Sequence, residues 1–104
     1  MEPFAHSLGV HTGEPEKIVV EFSASAAPFV REREWHPSQR IDDTATGGSV
    51  LTNNVCNDYA LQRWVLSWGG GAVVVAPADL AAAVRNELEK GAANYPSALS
   101  VLES

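Results

Sequence analysis

Apolar residues recur with two different periods along this chain, and the switch between the periods marks its elements. In Lys17-Ile18-Val19-Val20-Glu21-Phe22, the side chains of Ile18, Val20 and Phe22 fall on one side of an extended backbone, which predicts a first strand half-buried on a core. Ser23 and Ser25 can offer oxygens to free backbone amides, and Pro28 is tolerated in a first helical turn, so a short helix is predicted from Ala26 to Glu34 and ends before Pro37. Ser38 to Asp43 alternates around Ile41, Thr46-Gly47-Gly48 supplies a reversal, and Ser49 to Val55 returns with Val50, Leu51 and Val55 as a hairpin's second arm. Asn53-Asn54 interrupts that arm with amides that compete for backbone hydrogen bonds, which predicts a bulge or an exposed edge there.

The period then changes to that of a helix. Asp58 stands at a capping position before Leu61, Trp64, Val65 and Trp68, which lie at i, i+3, i+4 and i+7, and Gly69 follows as the stop. Val73-Val74-Val75 predicts a strand that is apolar on both sides, hence central or covered. Pro77 as the first helical residue, with Asp79 behind it, opens a last helix whose buried stripe is Leu80, Val84 and Leu88 and whose end is Gly91. The order strand, helix, strand, strand, helix, strand, helix predicts an α+β fold. Its plan is a ferredoxin-like βαββαβ sandwich, a four-stranded antiparallel sheet with helices on one face, plus a C-terminal helix.

Composition narrows the function classes. The chain has 104 residues, one domain's worth, with residues 1–15 reading as a linker, 16–95 as the folded domain and 96–104 as a tail. Seven basic and thirteen acidic side chains leave a net charge of -6, which repels a phosphate backbone and excludes a grip on duplex DNA by this domain alone. A lone Cys56 cannot form an internal disulfide, and the longest apolar run is too short to span a bilayer, so a cytoplasmic location without a membrane is the default. Neither a cofactor motif nor metal-ligand spacing is present: His36 has no second ligand in register, His6 and His11 lie in the linker, and Asp42-Asp43 reads as a turn entrance.

The candidate site is the corner Arg31-Glu32-Arg33-Glu34-Trp35-His36-Pro37-Ser38-Gln39-Arg40. It holds three of the chain's seven cations beside a tryptophan and a histidine. It lacks a nucleophile beside a base and a glycine cradle for phosphate, so it points to recognition before chemistry. The alternating charges of Arg31 to Glu34 also read as a solvated helix face, and Trp35 as a core or interface anchor.

With these elements in place, the chain resembles the C-terminal extension (WCX) domain of WYL-domain helix-turn-helix transcriptional regulators. The likeness rests on Ala5-His6-Ser7-Leu8-Gly9-Val10, Val20-Glu21-Phe22-Ser23, Ala27-Pro28-Phe29-Val30-Arg31-Glu32-Arg33, Trp35-His36-Pro37-Ser38-Gln39, Leu61-Gln62-Arg63-Trp64-Val65-Leu66-Ser67-Trp68-Gly69 and Ala76-Pro77-Ala78-Asp79-Leu80, in that order. It departs from the family at Asn53-Asn54 and at Gly69-Gly70-Gly71, which predicts an irregular sheet edge and a loose turn. The resemblance implies a regulatory domain that senses an effector and supports dimerisation, with a winged helix-turn-helix and a WYL barrel elsewhere in a larger protein as its partners. It also implies a homodimer of that protein, and a nucleotide or single-stranded nucleic acid as effector. The polar residues that it places at the ligand or partner surface are Arg31, Arg33, His36, Gln39 and Arg40, with Trp35 among them. Two other readings remain: a stand-alone small-ligand-binding module of the same fold, and an acylphosphatase-like enzyme in which Arg31 or Arg40 converges with Asn53 or Asn54.

Overall fold

A computed structural model of the chain describes residues 14–96. The predicted linker up to residue 13 and the predicted tail from residue 97 lie outside the described residues. The elements are β1 (Glu16–Phe22), α1 (Ala27–Arg31), β2 (Arg40–Asp43), β3 (Ser49–Val55), α2 (Tyr59–Leu66), a 3-10 turn (Gly69–Gly71), β4 (Ala72–Ala76) and α3 (Ala78–Ala93). The sheet runs β2-β3-β1-β4 and every neighbouring pair is antiparallel. β1 and β2 are therefore parallel to each other with β3 between them, and β3 and β4 are parallel with β1 between them. Two split βαβ units interleave, which is the α+β plan predicted from the order of elements.

The alternation in β1 sets the core. Ile18, Val20 and Phe22 are 2%, 1% and 1% exposed, and across the ladder they meet Asn53, Leu51 and Ser49 of β3. Val30, Leu61, Val65, Leu80 and Val84, from all three helices, close over this face. Each such side chain contributes roughly 1.5–3 kcal/mol of transfer free energy before entropy is charged against it. The opposite face of the sheet carries Glu21, Asn54, Val73 and Val75, all exposed.

Several expectations are corrected at this level. α1 stops at Arg31, three residues earlier than its start and stop signals predict, because Trp35 turns back into the core and draws the chain out of the helix. β3 has no bulge at Asn53-Asn54, and the register shift falls instead between Val19 and Val20, opposite β4; the β2 ladder ends at Thr52, so the outer side of Asn53-Asn54 is an edge as expected, where the Ser38 hydroxyl accepts from the exposed Asn54 amide. Asn53 is 4% exposed, on the core side of a central strand. The glycine run after α2 is a compact 3-10 turn in which Gly71 accepts a 2.9 Å bond from the Ser23 amide, so it is a packed connection and not a loose one. Pro77 is the cap preceding α3 and not its first residue, and α3 continues through Gly91 to Ala93. Leu88 lies on its open side, 40% exposed.

One more correction matters for function. β4 is neither central nor covered: it forms an edge of the sheet, with Val73 61% and Val75 57% exposed.

Two local predictions hold. Asp58 caps α2, its Oδ1 accepting from the Leu61 amide at 2.9 Å. The hairpin turn needs its glycines: Gly47 has φ +89°, and a Cβ on Gly48 would stand 2.3 Å from the Phe22 carbonyl oxygen.

Candidate functional site

The arginine corner folds as a loop whose conformation is fixed by its own side chains. Gln39 reaches back across it: Oε1 accepts from the Trp35 amide at 2.6 Å and Nε2 donates to the Arg33 carbonyl at 3.3 Å. Trp35 is thereby aimed inward. It is 8% exposed, and its indole Nε1 donates to the Val30 carbonyl, the last-turn acceptor that α1 leaves free, at 3.1 Å. Its ring meets Trp64 and Trp68 of the following helical stretch edge-on, at centroid distances of 5.3 and 6.0 Å, and Phe22 joins the same cluster. Edge-to-face contacts of this kind add about 0.5–1.5 kcal/mol each beyond area burial. Trp35 is thus the anchor of the corner, not an open stacking platform. The Trp68 Nε1 is buried within this cluster without a hydrogen-bond partner.

The three arginines are exposed, and each is engaged within the chain. Arg31 Nε and Nη2 both donate to Asp43 Oδ1, at 3.1 and 2.8 Å, tying the end of α1 to the end of β2. Arg40 pairs with Asp42 at 3.0 Å. The Arg33 guanidinium lies 5.3 Å from the centroid of the Trp35 ring. His36 Nδ1 accepts from the Ser38 amide at 3.1 Å and is 2.7 Å from the Ser38 hydroxyl, which in turn accepts from the Asn54 amide at 2.9 Å. The predicted site residues Arg31, Arg33, Trp35, His36, Gln39 and Arg40 therefore share one corner, from the last residue of α1 to the first of β2. Among them the surface ion pairs, each worth about 0–1 kcal/mol, are the exchangeable contacts.

The arrangement required by an acylphosphatase-like reading is not assembled around Arg31. That guanidinium sits beside Asp43 and Gly48, while Asn53 lies five residues beyond Gly48 in β3, roughly 16 Å at the usual strand rise. Arg40 pairs in register with Thr52 and so points to the face opposite Asn53. Among the described residues, no group of three or more His, Cys, Asp or Glu is placed to hold a metal ion. Cys56 is partly buried, as a small side chain at the end of β3. No helix among the described residues is long and apolar enough to cross a membrane.

Two features escaped the sequence reading. The N-terminal ends of α2 and α3 frame a cavity of about 100 Å³ where the Asn57 amide donates to Asp79 Oδ2 at 3.1 Å beside the buried Asp58. An apolar groove of about 480 Å³ runs between β4 and α3, lined by Val73, Val74, Val84 and Leu88 and flanked by Arg85 and Glu89. Only the first left a trace in the sequence, as the cap Asp58 and the acidic Asp79 at the opening of the last helix. The groove had none, because a hydrophobic pattern reports that a face is apolar and not which neighbour is missing.

No curated protein matches the chain. A family model described as the WCX domain matches residues 14–92, from the entry to β1 almost to the end of α3. With that match spanning the sheet, the arginine corner and all three helices, the chain belongs to the WCX domain family.

Proposed function

We propose that this chain is the C-terminal regulatory domain of a WYL-type transcriptional regulator, acting by effector sensing and dimerisation and not by catalysis. The observation that carries this reading is the WCX family match over residues 14–92. The architecture supports it. The corner gathers three exposed guanidiniums on a loop held rigid by Gln39 and Trp35, a pre-organised surface for an anionic group. Arg31 and Arg40 are held by exposed carboxylates that an incoming phosphate can replace, with Arg33, His36 and Gln39 as the remaining polar contacts. The partners in this reading are a WYL barrel and a winged helix-turn-helix in the same protein, a second copy of that protein, and a nucleotide or single-stranded nucleic acid as effector. The net charge of -6 disfavours duplex DNA as a ligand of this domain by itself.

The corner contains its own reporter. Trp35 touches Trp64 and Trp68, so the emission of all three responds when the loop moves. Titration with short single-stranded DNA and with a panel of nucleotides should change that emission saturably. The affinity should fall with added salt, and Arg33→Ala and Arg40→Ala should weaken it. A chain that binds none of these probes at low salt, or binds them equally well without the two arginines, removes sensing at this corner.

A further inference from the structure

β4 has the composition of a covered strand and the position of an edge. Its five residues, Ala72-Val73-Val74-Val75-Ala76, carry no charge and no proline, the usual devices that stop an edge from pairing. The other edge does carry them: β2 is four residues long and three are charged, Arg40, Asp42 and Asp43. Among the described residues no strand pairs with the outer side of β4, which borders the groove toward α3.

We infer that β4 and α3 form a two-fold interface with a second copy of this chain, β4 pairing antiparallel with its counterpart so that the two sheets become one. This rests on the dimerisation reading above and gives it a surface. Two observations select a second copy over an unrelated strand. Ala-Val-Val-Val-Ala reads the same in both directions, so an antiparallel partner about Val74 sets Val73 against the other copy's Val75 and alanine against alanine. The groove side of α3 carries opposite charges one turn apart, Arg85 and Glu89, among the apolar Ala81, Val84, Leu88 and Ala92. A two-fold axis that reverses the strands also reverses the helices, and brings Arg85 of each copy to Glu89 of the other. Within one chain these two residues already pair at 2.8 Å while remaining 79% and 61% exposed, so both have reach to spare. The groove would then be closed by Leu88 of both copies, covering apolar surface that a single copy leaves open.

Sedimentation velocity of the 104-residue chain over a range of concentrations tests this, alongside Val73→Lys/Val75→Lys, Arg85→Glu and the swap Arg85→Glu/Glu89→Arg. The parent chain should dimerise and the lysine variant should be monomeric with an unchanged circular dichroism spectrum. Arg85→Glu sets like charges against each other and should raise the dimer dissociation constant at least about tenfold, and the swap should bring it back to within about threefold of the parent. A parent chain that stays monomeric at the highest concentration overturns both this surface and dimerisation by the domain alone. A parent dimer that the lysine and Arg85→Glu variants leave intact overturns the surface only, and places dimerisation elsewhere on the molecule.

Discussion

At one edge of the sheet, the charged residues of β2 are committed within the chain: Asp43 holds Arg31, Asp42 holds Arg40, and the loop before them is clamped by Gln39. At the other edge, β4 offers valines and an open backbone beside a groove. The residues that look most like a recognition motif are thus the ones most occupied in building the fold. Those that look most like core are the ones the topology leaves uncovered. A sequence motif identifies chemistry, and only the three-dimensional arrangement says how much of that chemistry is already spent.

The contrast can be tested by substitution. Phe22 pairs with Ser49 on one side and Ala72 on the other, so it serves both edges at once. Phe22→Ala should cost about 3–5 kcal/mol and lower the denaturation midpoint accordingly, whichever side is probed. Gln39→Ala acts on the closed side only. It leaves the Trp35 amide and the Arg33 carbonyl without their partners and should cost about 1–3 kcal/mol, with a shift in tryptophan emission as Trp35 loosens. Arg31→Ala should cost no more than about 1 kcal/mol, since its side chain is 40% exposed and that of Asp43 is 73% exposed; a larger loss would make the closed edge more dependent on this pair than its exposure allows. Val73→Thr on the open side should move the stability of the single copy by less than about 0.5 kcal/mol in chemical denaturation at low protein concentration. If Val73 proves as costly as Phe22, the two edges do not differ in the way described.

The element order and most of the core were legible because periodicity and burial coincide: Ile18, Val20, Phe22, Leu61, Val65, Leu80 and Val84 sit where their spacing puts them. The misses have physical causes. Three consecutive valines signal apolar surroundings on both faces, but strand order depends on pairings between distant segments, and so the position of β4 at an edge was not written locally. Asn53 was read as a weak point because asparagine is depleted in strands, yet β3 stays in register with β1 through Asn53 and Asn54, and pairing overrode propensity. Of the candidate site, the sequence placed all six residues in one ten-residue corner, but it put Arg33 on a helix and could not show that Gln39 and Trp35 are turned inward to shape the loop after Arg31. Arg31 finds Asp43 twelve residues away, a pairing that no local spacing announces.

The interleaved strand order also governs how the chain comes together. β1, the first strand, is hydrogen-bonded on one side to β3 and on the other to β4, so that Glu16 meets Val55 and Val19 meets Ala76. Neither half of the domain can complete its part of the sheet before the other arrives. Cutting the chain in the β2–β3 turn would give two pieces, each lacking its central neighbour and each unable to hold a sheet alone. The intact chain must close long loops before any strand in the middle is satisfied, and should therefore refold more slowly than a helical bundle of the same length. The valine edge of β4 is exposed on the partly assembled sheet and stays exposed in the folded chain, so the same strand carries the risk of wrong pairing during folding and after it.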